Sequence, residues 1–199
     1  MRIFVAGASG VIGVRLVPLL VAAGHVVAGM TRSSEKAAQL SALGGEPVVC
    51  DVFDAEALVE AVVSFEPDAV IHQLTDLPDT LAESVTQTAG NDRIRTEGTH
   101  NLIAAAKAAG ADRFVAQSIA WEPRRASVED HERQILEIGG VVARYGRLYG
   151  PGTYYEDELP PPPPRMQIDA AARATPPLLD SPPGIATIAE PDGQPRANP

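Results

Sequence analysis

The sequence predicts an α/β fold, a doubly wound parallel sheet with helices on both faces, followed by a small, truncated, proline-rich C-terminal region. Three observations carry this. Short apolar segments rich in valine and isoleucine recur at 2–6, 25–31, 46–50, 68–71, 112–117 and 140–144, as strands covered on both faces should read. Helical patterns fall between them, near 11–23, 34–43, 54–64, 91–109 and 127–138, and such alternation marks parallel crossover units. After residue 150 the alternation stops and prolines take over.

The first strand, Ile3 to Ala6, runs straight into Gly7, Gly10 and Gly13, and an apolar helix follows at once. Gly7 allows a tight turn, Gly10 lets the backbone approach phosphates, and Gly13 lets the helix lie close to the strand. The helix N-terminus adds free N–H groups and partial positive charge, so the turn suits a dinucleotide pyrophosphate. A plain glycine loop is the simpler account, but the strand before it and the helix after it favour nucleotide binding. Gly24, Gly44-Gly45 and Gly110 close the first, second and fourth helices, and Asp54 and Asn91 are expected N-caps. Cys50, at the end of the third strand, is expected to be a buried thiol rather than a nucleophile. The five prolines at 160–164 predict an extended polyproline II segment. A last helix spans about 167–179, broken by Pro176-Pro177, and the final ten residues look frayed.

With 26 acidic against 16 basic residues the net charge is −10, which argues against nucleic acid. The single cysteine excludes an internal disulfide and any zinc site built from several cysteines. No 18-residue apolar run appears and the N-terminus reads as a core strand, so no membrane association and a cytoplasmic protein are expected.

Further segments keep a recognisable order: Cys50-Asp51-Val52 after the third strand, Val70 to Leu74 at the fourth, and Gly98-Thr-His-Asn-Leu on the long helix. Arg113-Phe-Val leads to Ser118, Arg144 to Gly152 follows the sixth strand, and a helix opens at Gln167. With Gly7-x-x-Gly10-x-x-Gly13, these resemble the extended and atypical short-chain dehydrogenase/reductases, the NAD(P)-dependent epimerase/dehydratase family with a Rossmann sheet. The likeness covers 1–152 well and thins beyond. It implies a nucleotide-binding domain over 1–150 and a reduced, partly irregular substrate-binding region over 151–199.

The resemblance places the cofactor on Gly7, Ala8, Ser9, Gly10, Val11, Ile12 and Gly13, with Leu74 beneath it. Asp51 would accept from the adenine amino group while the Val52 backbone reads the ring. Family members that take NAD place an acid at the end of the second strand; here Thr31-Arg32-Ser33-Ser34 stands there. A guanidinium pairs with a 2′-phosphate, so NADP is expected, with NAD the alternative; Arg15 and Lys36 would add charge nearby.

Catalysis in the family uses a Ser, a Tyr, and a Lys four residues after that Tyr. Ser118 matches the serine. The only lysines, Lys36 and Lys107, do not follow a tyrosine by four. If Glu132 is the family glutamate, Arg124 holds the Tyr position and Val128 the Lys position, and Arg95 stands where the central helix usually has Asn. Tyr149 is a weak substitute acid, better suited to packing beside the nicotinamide; Tyr154 and Tyr155 suit pocket or surface roles. Trp121 suits the nicotinamide wall, His72 a structural strand end, and His131 a solvated helix face. The expected activity is oxidoreduction at a carbonyl or carbinol carbon of a small polar, sugar-nucleotide-like metabolite. The alternative is a non-catalytic NADP(H) sensor or structural module, or an inactive remnant, because the catalytic Tyr and Lys are absent. A homodimer through the helices near 91–109 and 127–138 is also implied, although the apolar stripe of the first also fits packing on the sheet.

Overall fold

The computed structural model describes residues 1–84, 86–156 and 160–191. Six strands lie where the valine-rich segments predict them: β1 (Arg2–Ala6), β2 (Val26–Thr31), β3 (Glu46–Val49), β4 (Ala69–His72), β5 (Arg113–Ile119) and β6 (Val141–Tyr145). Helices α1 (Gly13–Ala22), α2 (Ser34–Ala42) and α3 (Ala55–Phe65) connect the first four. All pairings are parallel, and the sheet order is β3-β2-β1-β4-β5-β6-β9. Its seventh strand, β9 (Gly184–Ile188), lies beside β6. The sequence does not announce β9, since its five residues sit alone after a proline pair and only Ile188 is buried. The sheet therefore draws its last strand from beyond residue 150.

The strand period of two sorts the core onto the two faces. Ile3 and Val5 of β1 face Leu16, Val17 and Leu20 of α1, and Ile168 and Ala171 from near the C-terminus. Phe4 and Ala6 face Leu58 and Val62 of α3 and Leu102 and Ala106 farther on. The apolar stripe with Leu102, Ile103 and Ala106 is thus buried within the chain.

The expected helix 91–109 is three segments: α5 (Ala89–Arg93), a wider π-helical turn (Ile94–Gly98) and α6 (Thr99–Ala108). A short α4 (Leu81–Ser84) precedes them. The π turn turns Arg95 inward and brings Gly98 against Val52, where a Cβ would stand 3.3 Å from the valine. Asp54 caps α3 as expected, accepting from the Ala57 N–H. Asn91 is no cap; it lies inside α5, where its Oδ1 accepts from the Asp76 N–H. Helix α7 (Ala126–Glu137) leads to β6.

After β6 come β7 (Arg147–Tyr149) and β8 (Arg165–Gln167), paired parallel as a separate ribbon. The proline run between them bends at 162–164 instead of staying extended. Prolines lack an N–H but keep their carbonyls: Arg147 donates to Pro162 and Pro163, and Arg165 to Pro161. Helix α8 (Ile168–Ala174) stops before Pro176-Pro177, which open a 3₁₀ turn. Residues 192–199, most of the segment expected to fray, lie outside the described residues. No helix among the described residues is long and apolar enough to cross a membrane.

Candidate functional site

The chain builds β1, β2 and β3 outward in one direction, then returns to place β4 on the other side of β1. Loops leaving β1 and β4 part at such a switch point, and ligands of open α/β sheets bind there. Here the two loops touch: the Gln73 N–H donates to the Ala6 carbonyl at 2.7 Å. Gly7 adopts φ +87°, and a Cβ on it would stand 2.6 Å from the Gln73 backbone. On Gly13 a Cβ would meet the Gly7 oxygen at 2.4 Å. On Gly10 it would meet only the Gly7 oxygen, at 3.3 Å, so Gly10 faces open space. The Ala8 and Gly10 amides are used within the fold, whereas those of Ser9, Val11 and Ile12 make no hydrogen bond among the described residues. Free amides around an open glycine, at the start of a ten-residue helix, fit a dinucleotide pyrophosphate.

Beside the glycine loop, Ser9 Oγ and Thr31 Oγ1 lie 2.9 Å apart. Arg32 is half exposed and pairs with Asp76 of the loop after β4 at 3.2 Å. Asp51 is exposed and accepts from the Phe53 N–H at 3.0 Å. The Val52 carbonyl is held by Asn101, while its amide makes no hydrogen bond among the described residues. Leu74 donates its N–H to His72 Nδ1, and its carbonyl accepts from Gln117. Arg15, expected near the nucleotide, is engaged elsewhere: it donates to the Val11 and Pro151 carbonyls and to Asp169, clamping α1 to α8. Lys36 is exposed on α2. Cys50 is buried, and burial followed by the nearby Asp54 and Asp51 pushes its thiol up, so it stays protonated.

From the glycine loop a cleft of about 820 Å³ runs toward the end of β5. Gly10, Val11, Ile12, Ser118, Trp121, Val128, Tyr154 and Tyr155 line it; Tyr149, Arg32, Asp51 and Val52 do not. Tyr149 instead donates its hydroxyl to Glu190, which also takes Arg165. Tyr154 donates to the Pro78 carbonyl, and burial followed by Asp79 and Glu83 raises its hydroxyl. Ser118 is 1% exposed and donates to Glu132 Oε1 at 2.6 Å. Arg144 reaches both Glu132 oxygens from β6. Burial alone would raise the Glu132 carboxyl, but hydrogen bonds from Arg144 and Ser118 outweigh it and hold the acid below the usual carboxylate range. Glu132 is therefore an ionised acceptor at neutral pH.

Behind Ser118 runs a buried chain that the sequence did not announce. His131 is not solvated but 1% exposed, and its Nε2 lies 2.9 Å from the Gln117 carbonyl. A carbonyl only accepts, so that nitrogen carries the proton and Nδ1 accepts from Thr99 at 2.7 Å. Thr99 in turn accepts from His72 Nε2 at 3.1 Å, leaving His72 Nδ1 to accept from Leu74. Both rings are neutral in this arrangement. Burial, then the positive Arg95, lowers His131 to about 4; burial, then His131 and Arg95, puts His72 well below its ordinary value. The chain joins the backbones at the ends of β4 and β5, which flank the cleft.

A family model described as NAD(P)H-binding matches residues 7–135. A 3-diazoavenalumate denitrifying reductase from Streptomyces sp is 40% identical over 78% of this chain and 59% of its own length. A Stigmatella aurantiaca 4-hydroxy-2-methyl-3-oxo-4-farnesyl-3,4-dihydroquinoline-1-oxide ketoreductase is 35% identical over 58% of this chain and 32% of its own. The chain thus spans less than two thirds of either relative. The UDP-glucose 4-epimerase of Thermus thermophilus, solved with NAD, superposes with a TM-score of 0.77 at 21% identity, covering 95% of this chain and 78% of that one. The fold is that of NAD-binding epimerases.

Proposed function

This chain belongs to the NAD(P)H-binding family, and on that premise we propose that it is an NADP(H)-dependent oxidoreductase acting on a carbonyl or carbinol carbon of a small metabolite. The observation that carries the reading is the β1–α1 turn, with its open glycine and free amides, leading into the cleft that Ser118 lines. The Streptomyces and Stigmatella relatives, both named as reductases, support the reaction class. When bound, the reduced nicotinamide supplies a hydride. The Ser9, Val11 and Ile12 amides would hold the pyrophosphate, and Arg32 the 2′-phosphate. With its proton on Glu132, Ser118 Oγ presents lone pairs to the cleft and orients a substrate hydroxyl; turned away from Glu132, it donates to a carbonyl oxygen. Trp121, Tyr154 and Tyr155 favour an aromatic substrate body over a sugar nucleotide.

Titrating NADPH and NADH separately, with energy transfer from Trp121 as the signal, tests the cofactor reading. Arg32→Ala should weaken NADPH about tenfold and change NADH by about twofold or less, a reduced value for a charged hydrogen bond because the site is half exposed. Asp76→Asn frees Arg32 from its partner and should tighten NADPH by about threefold. Equal losses of both nucleotides in Arg32→Ala would count against NADP. The Ser118–Glu132 bond also favours a second reading, a nucleotide-binding module without turnover. Consumption of NADPH on a panel of carbonyl compounds separates the two.

A further inference from the structure

Arg95 is a buried cation in no ion pair among the described residues. It is 5% exposed, its Nε and Nη1 make no hydrogen bond among the described residues, and it lines the cleft with Ser118 and Val128. Burying a guanidinium unpaired is costly. The two carboxylates whose charge it feels are Glu132 and Asp92, and both are taken. Glu132 accepts from Ser118 and twice from Arg144. Asp92 accepts from Ser127 at 2.5 Å and Arg125 at 2.7 Å. The nearby His72 and His131 rings are neutral and spent on Leu74, Thr99 and Gln117. Two other arginines line the cleft and are engaged, Arg125 with Asp92 and Arg147 with the proline carbonyls. Burial lowers Arg95 to about 10, against the pull of Glu132 and Asp92, so it remains charged at neutral pH.

We propose that Arg95 anchors a carboxylate of the substrate, and that the cleft takes a carboxylic acid with an apolar, aromatic body. A carboxylate matches the planar N–H donors of a guanidinium and supplies the missing counter-charge. The remaining wall gives it an apolar body to sit beside: Trp121, Val128, Leu77 and Leu148 face the same space. The cleft's volume of about 820 Å³ is that of a small-ligand site. The inference rests on this cleft being the substrate side of the nucleotide site.

Cinnamate and its neutral isostere cinnamamide, titrated against Trp121 fluorescence with and without NADPH, test it. The acid should bind about 10- to 100-fold more tightly than the amide, as expected of a charged hydrogen bond formed in a buried site. Arg95→Met should erase that preference, leave NADPH affinity unchanged, and keep or raise the melting temperature by removing an unpaired buried charge. Arg95→Lys, which keeps the charge, should retain the preference and guards against a Met variant that fails to fold. Equal binding of the two compounds, binding of neither, or a preference that survives in Arg95→Met overturns the proposal. Loss of NADPH affinity in a folded Arg95→Met also overturns it, by assigning the guanidinium to the cofactor. Wild-type protein that prefers cinnamate yet binds neither nucleotide would instead sink the function proposed above and leave the carboxylate anchor standing.

Discussion

Gly13→Ala should abolish NADPH binding and destabilise the fold by about 3 kcal/mol, the upper end of overpacking costs. The new Cβ would stand 2.4 Å from the Gly7 oxygen and 2.5 Å from the Ala8 oxygen. Both contacts are backbone, so no side chain can swing aside. Relief requires α1 to move off the loop, and that movement redirects the Val11 and Ile12 amides. Gly24→Ala is the matched control. Its φ of +84° imposes left-handed strain of about 1 kcal/mol, but a Cβ there meets nothing within 4 Å. It should melt lower than wild type and bind NADPH as wild type does. Urea unfolding and the fluorescence titration report the two effects separately. A Gly13→Ala protein with wild-type affinity would remove the loop from the cofactor site.

Acid should begin to weaken the fold through its buried histidines before it protonates Glu132, Asp92 and Asp169. The folded His131 is lowered from 6.5 to about 4. The unfolded chain therefore takes up the proton first, and stability falls as pH falls. His131 contributes its full share above about pH 6.5 and loses about 3 kcal/mol by about pH 4. His72 shifts in the same direction and adds to the loss. Glu132, Asp92 and Asp169 are held below their ordinary values, so their contributions are lost at lower pH, as it falls through the folded values. Urea midpoints measured from about pH 7.5 down to 4 should fall steeply in the wild type. His131→Gln should start less stable and show a shallower slope across that window. Parallel slopes in the two proteins would mean that His131 is not held neutral.

The glycine turn could be read from the sequence because its causes are local. Gly7 and Gly13 lie six positions apart, and the steric need for glycine is set by the strand and helix that adjoin them. The first six strands were legible for a related reason: a strand covered on both faces must be apolar along its whole length. Strand β9 carries no such signature, since its residues alternate between half-exposed and exposed until Ile188. Its place follows from an open edge on β6, which the sequence does not display.

The site divides in the same way. Ser118 was legible as a polar residue ending a strand, but the destination of its proton was not, because Glu132 comes from α7 and is held in turn by Arg144 of β6. His131 stands among charged neighbours in the sequence, yet its face of α7 turns inward onto Thr99 and His72. Arg95 appeared only as an odd substitution until the π turn buried it beside carboxylates that were already taken. The sequence alone determined the first six strands, the glycine turn and the absence of a Tyr-x-x-x-Lys motif, since each is written in neighbouring residues. Tertiary structure alone decided which side chains are buried, neutral or unpaired, because burial and partnership arise between segments tens of residues apart.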